Sequence, residues 1–111
     1  MSDGIETARL ILADGVRGWP RGCAFVLRME LEGWVREQSQ RLDKRLPDAT
    51  MRSQLLCLSQ TVSLETAGRA TYAWHRLSEA CHQHAYDLAP TGTELNALLA
   101  EVESLIAADE T

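Results

Sequence analysis

Apolar residues recur along this chain every three or four positions, and the two-residue alternation of a half-buried strand is absent. The pattern predicts helices throughout. A first, short helix is expected over about Gly4 to Val16. Ile5, Ala8, Ile11 and Leu12 make its apolar face, Asp3 is placed to cap it, and Gly15 and Gly18 interrupt the periodicity at its end. A second, longer helix is expected from Pro20, because proline suits a first helical turn whose N–H groups lack partners in any case. Ala24, Leu27, Leu31, Trp34 and Val35 line one face of it, flanked by Cys23, Val26 and Glu30. It should fade through the polar stretch Arg36 to Arg45 and stop before Pro47.

Leu46 to Thr50 reads as a loop, and a third, short helix comes next, from about Met51 to Ser59, capped by Thr50. Its apolar residues are Met51, Leu55, Leu56 and Leu58. A fourth helix is expected from Leu64 to about Tyr86 with Ser63 as its cap. Leu64, Ala67, Ala70, Trp74, Leu77 and Cys81 fall near one face. Gly68 interrupts that helix at about 1 kcal/mol against alanine, a cost that suits a close approach between helices. Asp87 to Pro90 is the next break. Thr91 and Glu94 then have capping-box spacing, in which each side chain satisfies a backbone N–H near the helix start. The closing helix carries Leu95, Leu98, Leu99, Val102, Leu105 and Ile106.

Short connections between such helices favour antiparallel neighbours. The expectation is therefore all-α: an up-and-down bundle of four to five helices formed by residues 1–111 as one domain. With 45% hydrophobic and 24% charged residues, the composition is that of a globular protein. No apolar run is long enough to span a bilayer, and the N-terminus lacks the basic and apolar regions of a signal peptide. Three widely spaced cysteines, Cys23, Cys57 and Cys81, do not make a disulfide framework, and a reducing cytoplasm is expected. The net charge of −5 offers little general attraction for nucleic acid. Arg36, Arg41, Lys44 and Arg45 read as a solvated helix end. Trp34 and Trp74 belong to apolar faces. Trp19, beside Pro20, is placed either to staple a helix start or to anchor a partner.

Candidate chemistry gathers at the end of the fourth helix, where His75, His82 and His84 share a window with Arg69, Arg76, Glu79 and Cys81. A metal site would want His at i, i+4 or a Cys-x-x-Cys pair, and neither spacing occurs. A nucleophilic Cys81 would need an electropositive, exposed setting, yet it aligns with Trp74 and Leu77 on the apolar face. Acid–base chemistry is the third option. Arg76 and His82 have five residues between them, as do Arg69 and His75. A histidine can take the proton of a ribose 2′-hydroxyl while an arginine stabilises the charge growing on the phosphate, with no metal.

Three segments together resemble the HEPN superfamily, small helical-bundle domains of prokaryotic toxin–antitoxin and antiviral defence systems. Arg21 to Glu32 looks like the family's long early helix. Arg76-Leu77-Ser78-Glu79-Ala80-Cys81-His82 fits its arginine–histidine motif at a helix end. Pro90 to Leu95, followed by Leu98, Leu99 and Val102, looks like its closing helix. The resemblance implies either a metal-independent ribonuclease, whose dimer sets two arginine–histidine pairs in one cleft, or a relative without catalysis that binds protein or RNA. Carried over, Arg76 would stabilise the phosphate and His82 would be the general acid or base, with His84 as its substitute. Leu77 stands where the family commonly has a polar residue, and Glu79 puts a negative charge inside the motif. The leading expectation is therefore a non-catalytic subunit of a defence or toxin–antitoxin system, working through a protein partner or a homodimer. RNA is a candidate partner, and no membrane and no cofactor are expected. The alternatives are the ribonuclease and an unrelated bundle with a His/Cys metal site.

Overall fold

A computed structural model describes residues 3–14, 19–82 and 91–108. Among the described residues five α-helices run in chain order: α1 (Asp3–Asp14), α2 (Trp19–Leu42), α3 (Met51–Cys57), α4 (Leu64–Cys81) and α5 (Gly92–Ala108). Single 3-10 turns at Leu46–Asp48 and Leu58–Gln60 flank α3, and no strand occurs among the described residues. The all-α bundle is the architecture that the periodicity predicts.

The long α2 is the axis of the bundle, and α1, α4 and α5 all pack on it. Its inward residues Cys23, Ala24, Leu27, Leu31 and Val35 are fully buried, at the spacing that keeps one stripe toward the core. Ile5 and Ala8 of α1 close one side, and the Cys23 thiol lies against the Ala8 carbonyl at 3.9 Å. Burial pushes that thiol up to about 11, so Cys23 acts as a small apolar side chain. Leu95, Leu99, Val102 and Leu105 of α5 complete the core.

The buried residues of α4 are almost all small, and Trp74 packs beside them partly buried. Ala67, Ala70, Ala73 and Ala80 are buried around one large side chain, Leu77. Short side chains at these positions permit a close approach between helices. Two contacts fix its register. Trp74 Nε1 donates to Glu32 Oε2 on α2 at 2.8 Å, and Arg69 Nε donates to Glu101 Oε1 on α5 at 2.6 Å. Arg69 with Glu101 and Arg76 with Glu94 set α4 antiparallel to α5.

The helix starts agree with the predicted caps. Thr50 and Ser63 accept from the N–H groups of Ser53 and Thr66, each at 3.1 Å. Thr91 accepts from Glu94 N–H at 3.1 Å, but the capping box is only half made, because Glu94 turns its carboxylate to Arg76 instead. The expected cap by Asp3 and the roles of Trp19 and Gly15 to Gly18 fall on side chains or residues outside the described ones.

Some details depart from the periodicity. Leu56 is 78% exposed and Leu64 is 80% exposed, while Gln54 is buried. Helix α3 makes barely two turns, so its burial is set by the chain that enters it. Gln54 turns inward because its amide donates to the Pro47 and Ala49 carbonyls at 3.1 and 2.9 Å, tying the Leu46–Asp48 turn to α3. Leu64 is the first residue of α4 and precedes the contact with α2. Helix α4 ends at Cys81, and the expected continuation through 83–86 lies outside the described residues. Arg36, Arg41, Lys44 and Arg45 are exposed, as the solvated helix end requires.

Candidate functional site: the groove between α4 and α5

The outward face of α4 presents Glu65, Gly68, Tyr72 and Arg76 at spacings of three and four residues, which places them along one side of the helix. Beside them run Glu94, Ala97, Leu98 and Glu101 of α5. Together with Arg69 these residues line an open groove of about 570 Å³. Its apolar surface comes from Tyr72, Ala97 and Leu98, with Gly68 forming a gap in the α4 wall. Tyr72 is 65% exposed.

Polar pairs brace this groove. Arg69 bridges to Glu101 and also reaches Ser104 Oγ at 3.4 Å. Arg76 is held on two sides, by Glu79 Oε2 on its own helix and Glu94 Oε2 on α5, both at 3.3 Å. Glu65 has no hydrogen-bond or ion-pair partner among the described residues. The lining therefore holds three carboxylates and two guanidiniums, and both guanidiniums are already engaged.

Among the described residues, those singled out in the sequence are not gathered in one place. Arg76 lines the groove. His82 is the exposed residue that closes α4, its N–H donating to the Ser78 and Glu79 carbonyls at 3.1 and 3.2 Å, and it does not line the groove. Six positions along a helix separate two side chains by roughly 120° around the axis and about 9 Å along it. Arg76 thus answers to Glu79 and Glu94 rather than to His82. His84 lies outside the described residues. The second pair is divided too. Arg69 is committed to Glu101, and His75 is exposed with its ring edge-on to Trp74 at 5.2 Å between centroids.

Cys81 packs against the core, and burial raises its thiol pKa, partly opposed by Arg28. A raised thiol is a poor nucleophile at neutral pH. Among the described residues no three His, Cys, Asp or Glu side chains converge as a metal-binding group.

A second polar cluster sits where α2 meets α4. Glu32, 18% exposed, accepts from Trp74 and lies 3.8 Å from Arg28 Nε and 3.6 Å from Arg36 Nη2. Arg28 in turn stacks over Phe25 at 5.9 Å. Glu32 thus ties α2 to α4, while the buried Arg28 Nε is within ion-pair but not hydrogen-bond distance of it.

Among the described residues the chain is thus an all-α bundle with a braced, open groove between the antiparallel α4 and α5. No family model, curated protein or solved structure matches the chain. No helix among the described residues is long and apolar enough to cross a membrane.

Proposed function

We propose that this chain is a non-catalytic, HEPN-like interaction module that serves as a small subunit of a prokaryotic defence or toxin–antitoxin system and works through protein–protein contact. One observation carries the reading: Arg76 is neutralised by Glu79 and Glu94 while His82 stands apart at the helix end. An arginine that stabilises phosphate must meet the phosphate oxygens, and here two carboxylates compete for it, one at Nη1 and one at Nη2. Those carboxylates also repel an approaching phosphodiester. The open groove, with Tyr72 exposed beside Leu98, is the kind of surface on which a protein partner seats an anchor.

The test is cleavage of single-stranded RNA by the purified chain in chelator, with solution mass recorded and with His82→Ala and Arg76→Ala alongside. The module reading expects no cleavage above the buffer rate from any of the three. Cleavage by wild type that both substitutions abolish, from a dimer, would replace it with the metal-independent endoribonuclease reading.

A further inference from the structure

The groove between α4 and α5 has a shape and charge that select among occupants. Resting on the module reading, we infer that it docks one amphipathic helix of a partner protein, with small apolar side chains along its buried ridge and Lys or Arg on the rim that meets Glu65.

The shape argument starts from the wall. From Glu65 to Arg76 the α4 wall runs roughly 16 Å, about three helical turns. Two antiparallel helices with a furrow between them accept a third helix by ridge-into-groove packing, and the described residues offer no strand edge for an extended peptide. Gly68 is the decisive position. A Cβ built there meets nothing within 4 Å, so no contact inside the chain requires glycine. The glycine still weakens α4 by about 1 kcal/mol relative to alanine. Its gap lies next to Tyr72, whose ring is exposed at the groove edge. A knob from outside fits between them.

The charge argument selects the partner. Arg69 and Arg76 are held by Glu101, Glu79 and Glu94, and Glu65 is unmatched. Glu101 and Glu94 are matched by those arginines in turn, so the lining carries one uncompensated charge, the carboxylate of Glu65. A basic rim satisfies it. A second copy of this chain brings a lining of the same net charge, with both of its arginines already paired, and so offers nothing to match Glu65. A phosphate backbone is disfavoured for the same reason.

The experiment displays a library of helical peptides of about 14 residues to the immobilised full chain. The ridge is held as Ala and Leu, and rim positions are randomised among Lys, Glu and Ser. Against wild type, Lys should be enriched over Glu at the rim that meets Glu65 by about ten-fold or more. The preference should fall at least about ten-fold against Glu65→Lys, and binding itself should be lost with Gly68→Leu, which fills the gap. The two variants separate charge from shape, and circular dichroism of each establishes that it is folded. Enrichment of Glu, no rim preference, or selection unchanged by both folded variants would overturn the assignment. So would sedimentation showing that the wild type is a dimer which Gly68→Leu dissociates, because the occupant would then be a second copy. RNA cleavage by wild type would defeat the module reading whatever the library selects, whereas a lost rim preference without cleavage defeats only this groove assignment.

Discussion

The two faces of α4 are built on opposite rules. Inward it presents Ala67, Ala70, Ala73, Leu77 and Ala80, all buried, so that a thin, regular surface lies against the bundle. Outward it presents Glu65, Gly68, Tyr72, Arg76 and Glu79, with an exposed ring, a gap and more carboxylate than the arginines can match. The first face is where stability resides. The second is mostly exposed and held by solvent-facing ion pairs, which contribute little to the fold. The difference shows that the same helical period can carry two independent designs, one read through burial and the other through what is left unsatisfied.

If the faces are independent, substitutions should sort sharply between them. Leu77→Ala removes the one large fully buried side chain of α4 and should cost about 2–5 kcal/mol, read as a lower midpoint in urea. Glu32→Ala should come next at about 1–3 kcal/mol, since it strips the acceptor from Trp74 Nε1 and leaves Arg28 without its carboxylate. Intrinsic tryptophan fluorescence should shift with it. Ser63→Ala frees the Thr66 N–H at the start of α4 and should cost about 1 kcal/mol.

The outward face should respond least. Arg76→Ala breaks two solvent-exposed ion pairs and should lower stability by less than about 1 kcal/mol. His82→Ala should stay within about 0.5 kcal/mol by the same denaturation. A cost of several kcal/mol from Arg76→Ala would mean that the outward face is scaffold after all and would erase the distinction.

Much of the inward design is legible in the chain. Ala67, Ala70, Leu77 and the run from Leu95 to Leu105 stand at helical spacing, and burial tracks spacing wherever a helix is long enough to have one face toward α2. The caps at Thr50 and Ser63 are legible for a local reason, since each acts within three residues. The departures are tertiary. Leu56 and Leu64 sit near helix ends, where spacing does not determine which way a side chain faces. Gln54 is buried for two loop carbonyls that sequence cannot bring to it. Glu94 has the spacing of a capping box and the geometry of a salt bridge, and α4 decides between them.

The candidate site is harder to read. Arg76 stands out as half of a spacing motif, but its partners come from α5 and from its own helix rather than from His82. Gly68 has the sequence setting of a close approach between helices of the same chain, and the space beside it is open instead. Glu65, Tyr72, Ala97 and Leu98 carry no signal individually. A groove is a relation between two helices, and it exists only once α4 and α5 are aligned antiparallel.

The central claim is that the fold does not need the outward face of α4, and Gly68→Ala tests it most directly. The account predicts that the melting temperature rises by roughly 4 °C, because a methyl group enters open space and the helix gains about 1 kcal/mol. A fall in melting temperature would show that the chain itself requires a glycine there, and the groove would then be a consequence of packing rather than a surface kept open for a partner.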